Sequence, residues 1–408
     1  MLQQLASRDH ERTSLSIGFI NWAHALDHYV MLIFPTAVIS LQVVYARTYA
    51  ELIALSTASF IAFGIFSLPA GWLADRWSRR NMIALFYAGC GISLLAAGLA
   101  PGLMVLAVAL FALGAFAAIY HPVGTSILVA QAKTRGRSLA FNGVCGNVGA
   151  ALAAGMTAAL IALWGWHAAF LLPGIVCLVT APLYLWLVPD EGGQTAKRAT
   201  VAEVPLGISL AAVIFALFVL IALCAGLVFN IISIALPKIV DERLGATVSL
   251  TWVGGIATAV FMCGAIAQIA VGRLVERFQP HILFAIIAVL QFLGVLCAAY
   301  TSGKLLILVL AAAMAAIYAQ VTVNDLVIAR YTPDAWRGRI YSVRYFLTFL
   351  VSGAAVSAIA ILYDRGGFDL VLATTAVFAL GFVFATAVIA LLVNGVERKR
   401  VDAAVPAE

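Results

Sequence analysis

The chain consists of apolar stretches of about twenty residues or more that follow one another with only short polar breaks. A helix needs about 20 apolar residues to cross the hydrocarbon core of a bilayer. Hydrophobic residues make up 64% of the 408 residues and charged residues only 10%, against roughly 25% charged in an average soluble domain. The sequence therefore predicts an all-α membrane protein whose main partner is the lipid bilayer.

Twelve stretches are long and apolar enough for a transmembrane helix, and the breaks between them carry Gly, Pro or charge. They cover residues 16–43, 51–73, 81–100, 102–130, 138–163, 167–189, 205–237, 248–271, 281–301, 304–330, 338–363 and 368–394. The longest polar stretch, 190–204, lies after the sixth of them. We therefore expect an N-terminal six-helix bundle (1–189), a cytoplasmic linker (190–204) and a C-terminal six-helix bundle (205–408).

The distribution of Lys and Arg among the loops predicts the orientation in the membrane. With a cytoplasmic N-terminus, seventeen of these residues fall in inside loops or tails and five in outside loops. Cytoplasmic loops of membrane proteins carry such an excess, so both termini are expected in the cytoplasm. The same asymmetry explains the net charge of +6 without a nucleic-acid partner.

Cysteine usage and the lack of a catalytic residue pair argue against several other classes of protein. None of the six cysteines forms a CxxC pair, and all six fall inside apolar runs, which predicts neither a disulfide framework nor a zinc site. The first apolar stretch is too long for a cleavable signal peptide. With no nucleophile–base pair in the sequence, we expect neither an enzyme nor a cofactor.

The two halves of the chain repeat each other at offsets between 198 and 202 residues. The matching segments are 118–120 with 316–318, 135–137 with 337–339, 71–76 with 272–277, and Pro35 with Pro237. Internal repeats of this kind are common in secondary transporters, where the substrate site lies near the bilayer midplane between the repeats.

The segment Gly71-Trp72-Leu73-Ala74-Asp75-Arg76-Trp77-Ser78-Arg79-Arg80 resembles the loop signature of the major facilitator superfamily, G-x-L-a-D-r-x-G-r-k. Ser78 replaces the second glycine, and a degenerate copy follows the eighth predicted helix. The resemblance covers the whole chain. It implies twelve transmembrane helices in two pseudo-symmetric bundles, a monomer in the bacterial plasma (inner) membrane, and transport by alternating access.

Within that family, the loop acts as a cytoplasmic latch between the two halves. The resemblance places this role here on Gly71, Asp75, Arg76, Arg79, Glu276 and Arg277. The alternative is that these arginines only belong to the usual excess of positive charge in cytoplasmic loops and have no latch role.

Two further segments are similar to the fosmidomycin-resistance branch of drug exporters. They are His24-x-x-Asp27 in the first helix and Tyr120-His121-Pro122-x-Gly124 in the fourth. The fifth helix carries Gly143-x-x-Gly146-Asn147-x-Gly149, a fragment of the antiporter signature with Asn147 where that signature has proline. This similarity implies export.

Ionisable residues at membrane depth are functional candidates by default, because they are costly there. His24, Asp27 and His28 lie at i, i+3 and i+4 on the first helix and so share one face. His121 on the fourth helix lies at similar depth, and the resemblance implies that all four face a central cavity. A carboxylate beside imidazoles can take up and release protons near neutral pH. Hydrogen bonding between helices is the alternative role.

The second half offers a different set of polar residues. Asp325 and Arg344 are predicted at one depth, as a structural pair or as an anion site. The repeat matches Arg344 with Asn142 on the fifth helix. Further candidates for lining the substrate site, or for joining helices, are Asn21, Asn230, Gln268, Gln291, Gln320 and Asn324.

These observations predict a proton-coupled secondary active transporter that exports a small polar or amphiphilic compound. Its partners are that substrate and protons. The alternative function is export of a transition-metal ion on His24, Asp27, His28 and His121, because imidazole and carboxylate suit such metals.

Overall fold

We describe the fold from a computed structural model of the chain. It describes the backbone of residues 2–132, 135–189, 208–244, 248–275, 277–331 and 334–404. Side chains are described within 13–395 of these ranges, apart from 135–136, 208–211, 329, 331, 334–345 and 349. The predicted linker 190–204 and Glu276 lie outside the described residues, and so does the side chain of Arg344.

The described part of the chain is helical throughout, with turns between the helices. Its elements are α1 (Leu2–Tyr45), α2 (Tyr49–Ala54), α3 (Thr57–Arg76), α4 (Arg79–Gly98), α5 (Leu103–Ala117), α6 (Tyr120–Gln131), α7 (Arg135–Trp164), α8 (Trp166–Leu187), α9 (Ile208–Arg243), α10 (Leu250–Leu274), α11 (Pro280–Tyr300), α12 (Lys304–Tyr331) and α13 (Asp334–Ala404).

By length and hydropathy, eleven helical stretches of the described chain can cross a membrane. Two of them join short helices end to end, α2 with α3 and α5 with α6. The last, Phe346–Gly395, has 50 residues and covers part of the predicted span 338–363 and all of the span 368–394. Its backbone leaves the helical conformation at Gly366 and Gly367, where Gly367 has φ of 60°. Glycine adopts this left-handed conformation without steric cost, so the break falls where the sequence places the turn between those spans.

The predicted fourth span is interrupted near its middle, between α5 and α6. The interruption at Ala118 and Ile119 comes just before Pro122, the third residue of α6. Proline has no N–H to donate to the carbonyl four residues earlier, so it separates the helices but is tolerated in the first turn of the second. The sequence predicted 102–130 as one continuous helix, whereas the structure has a break in it just before the helical turn that carries His121.

Large apolar side chains stay exposed on the outside of the bundle, as expected of a surface that faces lipid. Trp186 is 80% exposed, Met104 78% and Leu391 74%. Several polar groups are buried inside instead, among them Asp27 (1% exposed) and Asn142 (5%). The core is otherwise apolar, so the bundle differs from a soluble domain chiefly in its apolar outer surface.

Helix pairs inside each half pack at glycines. A Cβ on Gly149 of α7 would lie 1.9 Å from the main-chain oxygen of Ala25 on α1. Between the halves, a Cβ on Gly254 of α10 would lie 2.6 Å from the main-chain oxygen of Ala154 on α7. Thr258 of α10 donates to the carbonyl of Ala151 at 2.7 Å. Small residues let transmembrane helices approach closely, and here they bring α1 and α10 against α7.

The two halves also meet at the end of the bundle where α2 begins, which we call the Tyr49 face. Tyr49 is 1% exposed, and its ring centroid lies 4.8 Å from that of Tyr363 and 5.9 Å from that of Phe368, both on α13. The Lys238 ammonium of α9 lies 6.0 Å from the Tyr49 ring centroid and 2.7 Å from the Asp241 carboxylate. These contacts close the Tyr49 face with aromatic packing and ion pairs.

Candidate functional site

Three of the four ionisable residues predicted at membrane depth in the first half, His24, Asp27 and His28, lie on α1, within its membrane-capable stretch Thr13–Tyr45. At about 1.5 Å per residue, Asp27 lies roughly 21 Å along the helix from Thr13. Asp27 is 1% exposed, whereas the side chains of His24 and His28 are half-buried. A carboxylate at this depth is costly unless it is protonated or has a partner.

The fourth residue, His121, reaches this position from the first turn of α6. Its Nε2 lies 3.3 Å from Oδ2 of Asp27. The other carboxylate oxygen, Oδ1, is buried and has no hydrogen-bond partner among the described residues. The Asp27 side chain is 2% exposed and that of His121 23%. The pair thus joins a buried acid to an imidazole that is partly accessible from outside the core.

All three imidazoles lie together beside Asp27. Nε2 of His28 is 3.2 Å from Nε2 of His24, and the His121 ring centroid lies 5.4 Å from that of His24 and 5.7 Å from that of His28. One ring nitrogen from each residue can be chosen so that all three lie within 4.8 Å of one another. The helical spacing and the depth argument predicted this grouping, and the structure brings the four residues together.

Asn142 of α7 connects this group to its surroundings through three hydrogen bonds. Its main-chain oxygen accepts from Nδ1 of His24 at 2.7 Å. Its side-chain oxygen accepts from the Tyr120 hydroxyl at 3.0 Å, and its amide nitrogen donates to Asn21 at 2.9 Å. One residue therefore fixes side chains of α1 and α6 at once.

Gly146 of α7 makes room for the His24 ring. A Cβ on Gly146 would lie 2.6 Å from Nε2 of His24, closer than real Cβ contacts. On its other face, His24 stacks against Tyr120, with ring centroids 4.7 Å apart and an interplanar angle of 23°. Gly146, one glycine of the fragment noticed in the sequence, thus leaves space for an imidazole between α1 and α7.

Four of the polar residues predicted as site candidates in the second half of the chain lie on α9 and α12. Gln320 and Asn324 are each 5% exposed on α12, and their side-chain oxygens have no partner among the described residues. Asp325 is half-buried and interacts with neighbouring groups. Asn230 donates to the carbonyl of Gly226 on its own helix at 2.9 Å. These residues belong to α9 and α12, whereas the four-residue group belongs to α1 and α6.

Two other predicted lining residues have distinct surroundings. Gln268 of α10 accepts a hydrogen bond from Asn147 of α7 at 2.5 Å, so it joins the two halves of the chain. Gln291 of α11 is 0% exposed, and both polar atoms of its side chain lack a partner among the described residues.

The residues predicted as a latch lie at the opposite end from the Tyr49 face. Asp75 pairs with Arg79 at 2.8 Å, one helical turn away, and the Arg76 guanidinium lies 4.3 Å from the Trp72 ring centroid. A Cβ on Gly71 would lie 3.3 Å from Cβ of Pro122, so this glycine packs α3 against α6. Arg277 is exposed. The Asp75–Arg79 and Arg76–Trp72 contacts both lie within the first half of the chain.

Sequence reasoning missed three features of this region. Tyr120 was noticed only as part of a motif, although it stacks on His24 and bonds to Asn142. Phe63 of α3 places its ring centroid 5.9 Å from that of His121. The closure around Tyr49 joins residues far apart in the chain, and no sequence spacing could have revealed it.

A helical bundle with exposed apolar flanks and a buried ionisable group at mid-depth is typical of membrane transport proteins. A profile of the Major Facilitator Superfamily matches residues 17–264 and 218–407. The chain belongs to this superfamily of transporters, and it is a multi-pass protein of the plasma membrane.

Two relatives transport aromatic acids. The chain is 26% identical over 342 residues to the 4-hydroxybenzoate transporter PcaK of Pseudomonas aeruginosa, a match that covers 74% of this chain and 75% of that protein. It is 30% identical over 151 residues to a gallate transporter of Pseudomonas putida. The second match covers 36% of this chain and spans only 33% of the relative.

Solved structures share the fold at low identity. A bacterial homologue of the human lysosomal transporter Spinster, in an inward-facing and occupied conformation, matches with a TM-score of 0.73, 15% identity, and coverage of 92% of this chain and 95% of that one. A D-xylose–proton symporter matches with a TM-score of 0.72, 15% identity, and coverage of 91% and 95%. These likenesses support the all-helical transporter fold predicted from the sequence.

Proposed function

We propose that this chain is a proton-coupled secondary transporter of a small aromatic acid, in which Asp27 carries the coupled proton. The observation that carries the proposal is the Asp27 carboxylate, buried at mid-membrane depth with one oxygen facing His121 and the other without a described partner. Protonation removes the charge from a site where charge is costly. A change in access from one side of the membrane to the other would then couple proton release to substrate movement.

The aromatic-acid substrate is supported by the relatives and by the chemistry of the site. The transporters of 4-hydroxybenzoate and gallate carry compounds with an apolar ring and a carboxylate, which belong to the predicted class of small amphiphilic compounds. Partly exposed imidazole N–H groups can donate to a carboxylate. The Phe63 ring, 9% exposed, lies beside His121, and aromatic rings pack favourably against one another.

The fuller architecture is part of the same proposal. Twelve spans follow if the break at Gly366–Gly367 divides the last stretch into two, with both termini in the cytoplasm and bundles at 1–189 and 205–408 around a linker at 190–204. The Tyr49 face is then extracellular. The monomer alternates access, and the segment of Gly71, Asp75, Arg76 and Arg79, with Glu276 and Arg277, forms the cytoplasmic latch.

The direction of transport follows from the sign of proton coupling. A cell maintains an inward proton gradient, so proton antiport drives export and symport drives uptake. Export is the direction predicted from the similarity to drug exporters, and it requires antiport.

The test uses purified protein in liposomes with a trapped pH dye and no imposed gradient. Adding 4-hydroxybenzoate or gallate outside should alkalinise the lumen by antiport, whereas acidification would mean symport and overturn export. Asp27→Asn should abolish the response, and Asp364→Asn, an exposed acid near the break at Gly366, should retain it. Protein-free liposomes correct for passive entry of the acid. A wild-type response no larger than theirs would reject proton-coupled transport of these acids.

Export of a transition-metal ion is the second candidate function. It is favoured by one observation, the three imidazoles with nitrogens within 4.8 Å of one another. In the same vesicles, a response to Mn²⁺, Co²⁺, Ni²⁺, Fe²⁺ or Zn²⁺ without any response to the aromatic acids would replace the first proposal by this one.

A further inference from the structure

The imidazoles beside Asp27 have a geometry that transport of an aromatic acid does not by itself explain. Nε2 of His24 lies 3.2 Å from Nε2 of His28, one helical turn further along α1. In a tetrahedral site with metal–nitrogen bonds of about 2.0–2.1 Å, two ligating nitrogens lie about 3.3 Å apart. This pair therefore already has the separation that two ligands of one metal ion need.

His121 adds a third imidazole from a different helix, α6. One nitrogen can be chosen from each of the three rings so that all lie within 4.8 Å of one another. A movement of roughly 1.5 Å or less would bring the third nitrogen to ligand distance. The three side chains are half-buried, not enclosed, so a fourth position stays open for water. Three histidines with an open fourth position are a known arrangement for Zn²⁺.

Two outer contacts hold these rings in orientations that suit coordination. Nδ1 of His24 donates to the main-chain oxygen of Asn142 at 2.7 Å, so Nε2 is the nitrogen with the lone pair and it faces His28. Oδ2 of Asp27 lies 3.3 Å from Nε2 of His121. Ligating histidines almost always contact a backbone carbonyl or a carboxylate in this way, which fixes the ring and raises its basicity. The group thus has the outer contacts of a metal site as well as its ligands.

All of these ligands belong to the first half of the chain. His24 and His28 lie on α1 and His121 on α6, and no described residue of the second half is part of the group. In alternating access the two halves move against each other, so a site within one half keeps its ligands in both conformations. An ion with equal affinity for both conformations gains nothing from the change between them. The ion would be held here and not released on the opposite side of the membrane.

We propose that His24, His28 and His121 form an inhibitory site for a divalent transition-metal ion such as Zn²⁺, which stays bound and stops transport. The inference rests on the proposed function and adds a regulator of the same site. In that function the imidazoles receive the substrate carboxylate, and a bound ion occupies their nitrogens instead. This role differs from metal export, in which the ion crosses the membrane. Mg²⁺ prefers oxygen ligands and should not bind.

Binding is measured on the full-length protein with any affinity tag removed. Co²⁺, a spectroscopic substitute for Zn²⁺, should give the visible absorption bands of a tetrahedral ion, and Zn²⁺ should displace it. His24→Gln and His28→Gln should each lose the bands, and Asp27→Asn should weaken binding about tenfold, a usual effect of losing an outer contact. His167→Gln should keep them. It is the matched control, because His167 also contacts a main-chain oxygen through Nδ1, that of Gly98 at 2.6 Å, but lies outside the group.

The variants are compared at matched amounts of folded protein. Absence of the bands in wild type would overturn the site, and so would bands of equal strength in wild type and both glutamine variants of α1. Neither result depends on transport, so the binding test stays separate from the test of the proposed function.

Inhibition is measured as uptake of radiolabelled 4-hydroxybenzoate into proteoliposomes with metal on both sides. Zn²⁺ should reduce wild-type uptake to that of protein-free liposomes, an excess of EDTA on both sides should prevent this, and Mg²⁺ should have no effect. Undiminished or faster uptake with Zn²⁺, or equal inhibition by Mg²⁺, would overturn the inference. Accumulation of radioactive zinc in the lumen would also overturn it, because the ion would then be cargo. Absence of 4-hydroxybenzoate uptake without metal would instead reject the proposed function, and inhibition with it, whatever the Co²⁺ bands show.

Discussion

The two halves of this transporter use equivalent helices for different chemistry. In the repeat, α9 is the counterpart of α1, because Pro237 matches Pro35. The counterpart of α6 is the matching part of α12. The counterparts of His24, Asp27 and His28 are Gly226, Phe229 and Asn230, and that of His121 is Ala319. The second half thus has a ring pair, Phe229 and Tyr318 with centroids 5.5 Å apart, where the first half has ionisable groups. The proposed proton chemistry is therefore confined to one half.

The same comparison shows how a helix interface makes room for a functional ring. In the first half α7 provides Gly146 and Gly149, and α1 provides His24. In the second half the small residue is on the other helix: Gly226 of α9 faces Val351 of α13, with a Cβ-to-Cγ1 distance of 3.5 Å. Val351 is the counterpart of Gly149. The repeat reverses which helix provides the small side chain, and the contact is looser in the second half, 3.5 Å against 1.9 Å at Gly149.

The largest expected effect comes from removing the charge that distinguishes the halves. Asp27→Asn should reduce coupled proton movement to that of protein-free liposomes, because the residue can no longer exchange a proton. Asp325→Asn removes the acid of α12 and should leave proton movement intact. Both variants are measured with the pH-dye assay at matched amounts of folded protein. Loss of coupled proton movement in Asp325→Asn would contradict the proposal that only the first half carries the proton.

A second effect concerns the packing of α1 on α7. Gly149→Ala places a Cβ 1.9 Å from the Ala25 oxygen, and overpacking of this kind costs roughly 1–3 kcal/mol. The apparent melting temperature in detergent should fall. Gly143→Ala, on the same helix with nothing within 4 Å, and Gly226→Ala, at ordinary contact distance, should not lower it. An unchanged melting temperature for Gly149→Ala would show that the two helices separate at little cost.

The paired tyrosines of the repeat test a smaller difference. Tyr120 donates to Asn142 at 3.0 Å, whereas its counterpart Tyr318 makes no hydrogen bond to a described residue. Tyr120→Phe should cost about 1 kcal/mol, the usual net value of one hydrogen bond, and Tyr318→Phe should be close to neutral. Thermal unfolding of the two variants side by side measures the difference, and equal shifts would contradict it.

The smallest effect is expected at Ser78, the position where the chain departs from the family signature. Ser78 caps α4 by accepting from the Asn81 N–H at 3.2 Å. Ser78→Gly restores the signature and should cost only a few tenths of a kcal/mol, as glycine does at this position. Ser249→Gly, at the weaker 3.5 Å cap of α10, provides the comparison. A larger decrease in the free energy of unfolding for Ser249→Gly than for Ser78→Gly would contradict this expectation.

The sequence predicted the helices better than their interruptions. Apolar length alone located the membrane-capable stretches, and helical spacing placed His24, Asp27 and His28 on one face. His121 joins them across 94 positions of chain, which the sequence supports only through an argument about depth. The contact with Asn142 depends on a main-chain oxygen, and the closure at Tyr49 depends on how the two halves pack. Neither leaves a pattern in residue types, so neither could be predicted.

The closed Tyr49 face has a practical consequence for blocking this transporter. With that face toward the medium, as proposed, Tyr49 and its neighbours cover the route from outside to the histidines. A blocker that cannot cross the bilayer and targets those histidines would have no access in this conformation. It could bind only after the protein has turned over, so block from the medium should deepen with activity and be slow in resting cells.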